Sequence, residues 1–191
     1  MRIIAGSAKG RVIKSPRNSL IRPTADKVKS AFYSMIGGAY LEGLKFLDLF
    51  AGTGNMGIEA LSRGAIRCVF VDKNRRSIRL IQENLHLTGL NERAWVLGCD
   101  IMRALAILRK EKACFNIIYI DPPYNNKVDD ALAIISSYHL LCAGGLIGIE
   151  RDKRDPCLWL ETNPYQLQQC KVYGNTQLFL LKDRDGAFSE I

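Results

Sequence analysis

Asp121-Pro122-Pro123-Tyr124 is the segment of this chain best equipped for chemistry. It follows an apolar run, Phe115-Asn116-Ile117-Ile118-Tyr119-Ile120, that reads as a strand. Two prolines remove two N–H donors and fix the backbone. The residue before the first proline is held extended. The loop is therefore stiff. It turns two acceptors, the Asp121 carboxylate and a backbone carbonyl, toward one point, with the flat face of Tyr124 beside them. These groups suit an amine conjugated to an aromatic ring. Its lone pair is delocalised, and acceptors on its two hydrogens draw the nitrogen toward tetrahedral geometry and free that pair. Tyr124 could stack on a base taken out of its surroundings. The plainer alternative is a Pro-Pro turn that only ends a strand.

A second segment, Phe46-Leu47-Asp48-Leu49-Phe50-Ala51-Gly52-Thr53-Gly54-Asn55-Met56-Gly57, runs from a strand into a glycine-rich loop. Gly52, Gly54 and Gly57 satisfy the spacing of a dinucleotide fingerprint, and Asp72 ends the next strand. A glycine pattern alone is weak. Asp48 argues against a dinucleotide, because a carboxylate beside the loop repels a diphosphate. It suits a phosphate-free cofactor carrying a sulfonium and an ammonium, which describes S-adenosylmethionine. The glycines then let the backbone approach its methionine part without a Cβ clash. Asp72 could accept from both ribose hydroxyls and Asp100 from the adenine amine. Ala51, Lys73 and Ile101 adjoin these positions and complete the expected cofactor set. Each acid could instead be a solubilising strand end. Three in succession at carboxyl ends of strands favour a ligand site.

These residues need a scaffold. Strand-like runs fall at 45–50, 67–72, 94–99, 115–120 and 145–150, with helical stretches near 57–63, 75–88, 101–110 and 128–139. Strand-helix alternation with nearly continuous apolar strands predicts an α/β, Rossmann-like, doubly wound parallel sheet covered on both faces. Residues 165–173 and 176–182 flank Gly174-Asn175, a two-residue hairpin signal. Seven strands ending in an antiparallel hairpin are expected. Upstream, Thr24 reads as an N-cap. Val28, Ala31, Phe32, Met35 and Ile36 then form one helical face that Gly37-Gly38 ends. Residues 1–14 read as short strands broken at Gly6 and Gly10. The whole chain reads as one domain, with a basic arm and helix over 1–38 and the catalytic core over 39–191.

Hydrophobic residues make up 48% of the chain, a globular composition. The net charge is +8, of which residues 1–30 hold +7. That asymmetry points to a polyanionic partner, with Arg2, Lys9, Arg11, Lys14 and Arg17 as its expected contacts. A solvated tail is the ordinary explanation of a charge run, but alternation with Ile3, Ile4, Val12 and Ile13 favours a folded arm. No apolar run approaches the ~20 residues of a membrane span, and the first residues lack a secretory pattern. A cytoplasmic monomer is expected. Cys68, Cys99, Cys114, Cys142, Cys157 and Cys170 show no metal or redox spacing and read as reduced, buried thiols. His86 and His139 read as structural or surface residues in helices, and no metal is expected.

The glycine-loop and Asp-Pro-Pro-Tyr pair resembles class I methyltransferases acting on exocyclic amines. More narrowly, Arg2-Ile3-Ile4-Ala5-Gly6, Lys9-Gly10-Arg11 and Arg22-Pro23-Thr24-Ala25-Asp26-Lys27-Val28 resemble the RsmD family. The resemblance runs from residue 2 to about 182 and implies methylation of the 2-amino group of a guanine in small-subunit (16S) ribosomal RNA, free or in the small subunit. By motif position it implies Asp48, Phe50, Gly52, Asp72 and Asp100 around S-adenosylmethionine, and residues 121–124 at the target amine. It also implies that Arg22 and Thr24 border the cofactor. Family members often carry a second threonine where this chain has Ala25. An adenine or cytosine amino-methyltransferase on DNA or another RNA is the nearest competing reading. Such DNA enzymes usually add a target-reading domain. A non-catalytic RNA-binding module and a dinucleotide oxidoreductase are further competitors.

Overall fold

The computed structural model describes residues 1–16, 23–37, 41–122 and 128–183, with the side chains of 23–25 left out. Arg17, Arg22, Pro123 and Tyr124, and the side chain of Thr24, therefore lie outside the described residues.

Seven strands form one sheet: β1 (Lys45–Leu49), β2 (Arg67–Val71), β3 (Ala94–Leu97), β4 (Phe115–Ile120), β5 (Leu141–Asp152), β6 (Tyr165–Tyr173) and β7 (Thr176–Asp183). Their order is β3-β2-β1-β4-β5-β7-β6. The first five are parallel, and β7 inserts antiparallel between β5 and β6. Helices α1 (Pro23–Met35), α2 (Asn55–Ser62) and α3 (Arg75–Thr88) cover one face, and α4 (Ile101–Lys110), α5 (Val128–Ser137) and the short α6 (Trp159–Thr162) the other. Chain direction across the sheet reverses between β1 and β4. In open α/β sheets that switch point opens a crevice at the strands' carboxyl ends.

Strand alternation sorts the side chains. Leu47 and Leu49 enter the core under α4–α6, while Phe46 joins the core under α1–α3. Asp48 shares the parity of Phe46 and so faces α2. Phe32 of α1 packs edge-on against Phe46 and Tyr119, with ring centroids 6.4 and 4.8 Å apart. A Cβ at Gly148 would lie 2.3 Å from the Phe32 ring, so β5 needs glycine there to let α1 seat.

Several boundaries differ from the sequence reading, each for a local reason. β1 stops at Leu49 because Phe50 turns to φ 62°. β5 runs from Leu141 to Asp152, beyond the expected 145–150, because Phe115 of β4 pairs with Leu141 at its start and β7 pairs along it as far as Asp152. α1 starts at Pro23, a residue suited to the first helical position, so Thr24 lies in the first turn and not at the cap. The arm makes a single antiparallel bridge, Arg2 to Val12, in place of the expected short strands. Ile3 N to Arg11 O and Ile13 N to Met1 O close the arm on itself, and other N–H groups turn to α2: Ile4 and Ala5 donate to Glu59, and Ala8 donates to Ser62 Oγ. A Cβ at Gly6 would fall 1.7 Å from the Ser62 carbonyl oxygen, so the arm lies hard against the end of α2.

The cysteine expectation also needs correction. Cys114 and Cys142 form a disulfide, with Cα atoms 5.3 Å apart. The parallel register pairs Phe115 with Leu141, which brings the two cysteines onto neighbouring strand starts. Cys68 and Cys157 are buried free thiols, whereas Cys170 is exposed. His139 follows α5 in a left-handed turn, φ 51°, and is not helical.

Candidate functional site

The crevice beyond β1, β4 and β5 encloses ≈ 240 Å³ and is lined by Asp48, Phe50, Gly52, Tyr119, Asp121 and Glu150 among others. Its floor is the glycine loop. Phe50 (φ 62°), Gly52 (φ 55°) and Gly54 (φ 76°) all take left-handed backbone. For a residue with a Cβ this costs energy and marks a constrained, functional turn. Gly57 is required for space: a Cβ there would lie 2.3 Å from the Phe70 ring.

Asp48 is only 2% exposed, and its Oδ2 accepts the Gly57 N–H at 2.9 Å. Gly57 is the third residue of α2. The carboxylate thus sits at the positive end of that helix. A dinucleotide's pyrophosphate would need this position, and here the protein's own anion occupies it. Burial raises the Asp48 carboxyl to about 7, with Asp72 adding to the rise and the Gly57 N–H opposing it.

Asp72 braces the same loop. Its Oδ2 accepts from Gly52 N at 2.9 Å and its Oδ1 from Asn74 N at 2.7 Å. Both oxygens keep a lone pair for a ligand. Asp100 is exposed and caps α4, accepting from Arg103 N at 3.0 Å. Lys73 is exposed, and Ile101 is half-buried at the start of α4.

Asp121 stands at the mouth of the crevice, exposed on its outer side, and its N–H reaches Leu49 O at 3.5 Å. Protein packed behind it raises its carboxyl well above the ordinary value, and the charges of Glu150 and Asp48 add to that. Arg151 pulls the other way. Water on the open side screens part of the effect. Pro122 is buried behind it. Glu150 escapes the sequence reading, although it ends the β5 run. The register sets Ile120 beside Ile149, so Asp121, just past the end of β4, comes beside Glu150 of β5. The buried Tyr119 hydroxyl donates to Glu150 Oε2 at 2.7 Å and orients it.

A buried ionic cluster ties the arm to this site. Glu59 of α2 is fully buried and pairs with Lys29 Nζ at 3.2 Å and with Arg63 Nε at 2.9 Å. Its two oxygens also accept from Ile4 N and Ala5 N. Lys29 donates further to Arg2 O and to Asn55 Oδ1, at 2.7 and 2.8 Å. Burial lowers the Lys29 ammonium pKa, and Glu59 opposes that shift. Lys29 therefore cannot belong to the basic surface in which the sequence count places it. Asn84 of α3, also fully buried, makes a second tie: it bonds Lys14 N and O and donates to Thr53 O at 2.9 Å.

Among the expected polyanion contacts, Arg2, Lys9, Arg11 and Lys14 are all exposed. Lys14 pairs with Glu83 at 3.0 Å, and Arg11 donates to Leu87 O at 2.7 Å. The structure thus gathers Asp48, Phe50, Ala51, Gly52 and Asp121 into one crevice, with Gly54 at the foot of its loop and Asp72 braced against it. Asp100 stays on the β3 side. Among the described residues no cluster of His, Cys, Asp and Glu has the form of a metal site. No helix among them is long and apolar enough to cross a membrane.

A family model described as Conserved hypothetical protein 95 matches residues 1–182. The chain is 40% identical over 185 residues to YlbH of Bacillus subtilis, covering 96% of this chain and 100% of that one. It is 30% identical over 160 residues to the ribosomal RNA small subunit methyltransferase D of Haemophilus influenzae, covering 83% of this chain and 82% of that one. The solved structure of a hypothetical protein from Thermus thermophilus superposes with a TM-score of 0.78 at 30% identity, covering 94% of this chain and 98% of that one.

Proposed function

Because this chain belongs to the Conserved hypothetical protein 95 family, the RsmD family of ribosomal RNA methyltransferases, we propose that it methylates the 2-amino group of a guanine in small-subunit ribosomal RNA, with S-adenosylmethionine as donor. The observation that carries this reading is the buried Asp48 at the N-terminus of α2, in a crevice that also holds Asp121 and Glu150. Such a site rejects phosphate and accepts a cation, which fits a sulfonium bearing an ammonium.

Asp48 and the left-handed loop at Phe50–Gly54 would hold the methionine part of the cofactor, Asp72 the ribose, and Asp100 with Ile101 the adenine. When bound, the cofactor supplies a methyl group already activated as a sulfonium. The protein's task is then mainly alignment. Asp121 accepts an amine hydrogen and frees the lone pair. The Asp121–Glu150 pair can hold the proton that the amine gives up, because two neighbouring carboxylates ionise together only at a cost. Tyr119 keeps Glu150 turned toward that proton. The arm cations Arg2, Lys9, Arg11 and Lys14, with Arg17, meet RNA phosphates. The chain acts as a cytoplasmic single domain, the 1–38 segment serving substrate binding and 39–191 serving catalysis.

The decisive experiment uses a labelled methyl donor with protein-free small-subunit RNA and, separately, with assembled small subunits. Digestion of the product should yield N2-methylguanosine. Label on adenine or cytosine, or none on either substrate, would overturn the proposal. Asp72→Ala should weaken cofactor binding measured by calorimetry, and an unchanged affinity would remove Asp72 from the ribose site.

Cofactor affinity should also depend on pH. The folded Asp48 carboxyl titrates near 7, against 3.8 for its ordinary value. Its proton-linked contribution to the stability of the free protein is full below 3.8 and is lost as pH rises through about 7. A cationic ligand prefers the ionised form, so binding should tighten as pH rises toward 7 and then level off. The ligand's amine keeps its charge to roughly 7.7–8.0. Proton release on binding at pH 6, read from the buffer dependence of the heat, checks this, and a flat profile from pH 5.5 to 7.5 would refute it.

A further inference from the structure

Net charge hides a second cationic surface. Residues 31–191 are nearly neutral in sum, yet Lys73, Arg75, Arg76 and Arg79 fall within seven consecutive positions with no acid among them. All four are exposed. The inner face of α3 is taken by Ile81, Asn84, Leu85 and Thr88, at the i, i+3, i+4, i+7 spacing of one buried stripe. The outer face is left to the cations. Arg75, Arg79, Glu83 and Leu87 recur every four residues and so stack along one line of the helix.

The arm continues this line. Lys14 pairs with Glu83 and Arg11 donates to Leu87 O. Two cations from the arm are therefore laid over the second half of the stripe whose first half is Arg75 and Arg79. Lys14 neutralises Glu83, the one acid on the line. At its other end the line starts just past Asn74 and Asp72, and Asp72 touches the cofactor loop through Gly52 N. Arg11, the Lys14–Glu83 pair, Arg79 and Arg75 thus run the length of α3, ~20 Å at 1.5 Å per residue, with a net charge of +3, and finish beside the crevice.

We infer that this track, Arg11–Lys14–Arg79–Arg75, is a phosphate-binding surface that leads the RNA backbone from the arm to the reactive crevice. The inference rests on the RNA-methyltransferase reading and adds α3 as a substrate-binding element. A line of net positive charge along a helix is complementary to a polyanion. An acidic protein surface is the other conceivable occupant.

The test is an Arg75→Gln/Arg79→Gln variant beside a control of equal charge, Lys110→Gln/Lys171→Gln, whose lysines are exposed on α4 and β6. Binding to protein-free small-subunit RNA is measured over a salt series, with S-adenosylmethionine affinity as a check on the fold. Each lost phosphate contact on a single strand flattens the log–log salt slope by about 0.7. The α3 variant should flatten it by about 1.4 while cofactor affinity holds, and the control should leave the slope at the wild-type value. Equal slopes for the α3 variant and wild type, with wild type still methylating RNA, would overturn the track and leave the functional reading standing. Equal changes in both variants would reduce it to an effect of net charge and overturn it as well. If the α3 variant binds and methylates free RNA normally but fails on assembled subunits, the occupant is a protein and the inference is wrong. No binding or methylation of RNA by wild type would remove the reading beneath it.

Discussion

Asp121→Ala should lower the rate of methyl transfer by about 10²–10³, the usual cost of removing one well-placed polar group from a reacting centre. The fold should survive, because Asp121 is exposed at the mouth of the crevice and its bond to Leu49 O is made by the backbone N–H, which alanine keeps. Asp121→Asn should be milder, since its carbonyl still accepts an amine hydrogen, but it cannot share a proton with Glu150. Its rate should therefore lose the pH dependence that the raised carboxyl gives wild type. Single-turnover assays across pH 5.5–8.5 measure both effects. Wild-type turnover in Asp121→Ala would end the amine-activation mechanism. Cofactor affinity should change little in either variant, which separates lost chemistry from lost binding.

Glu59→Ala should produce a large loss of stability. Removing one partner of a buried ion pair typically costs about 3–5 kcal/mol, because the other charge stays buried and unpaired. Here Lys29 is fully enclosed, and Ile4 N and Ala5 N would lose their acceptor too. Urea denaturation should show a lower midpoint, and limited proteolysis should cut the arm before the core. Glu59→Gln should lie between, since its carbonyl can still accept one of the arm's N–H groups. A loss below about 1 kcal/mol, the range of an exposed pair, would show that the cluster relaxes or admits water.

Much of the candidate site's backbone was legible because its features are local. Glycines at 52, 54 and 57, an aspartate inside β1, and Pro-Pro after β4 each impose or demand a backbone state that neighbours in sequence reveal. The two buried faces of β1 follow the same logic, whereas the left-handed turn at Phe50, which ends β1 one residue short of the sequence reading, was not legible there. The terminal hairpin was legible from Gly174-Asn175 for the same reason, although where it docks was not.

Strand-helix alternation, the acidic glycine loop and the stiffness expected of Asp-Pro-Pro are local properties, since each depends on side-chain period, φ restriction or steric freedom within a few residues. The rest came from long-range packing. Glu150 meets Asp121 because β5 lies beside β4 in register, 29 residues on. Cys114 meets Cys142 through the same pairing at the other end of those strands. Lys29 looked like surface charge until α1 folded over α2 and enclosed it with Glu59. Arg75 and Arg79 joined the arm's cations only when the arm lay down along α3. Charge and composition carry no information about which surfaces face each other. That is set by the order of the strands and by the face on which each helix packs.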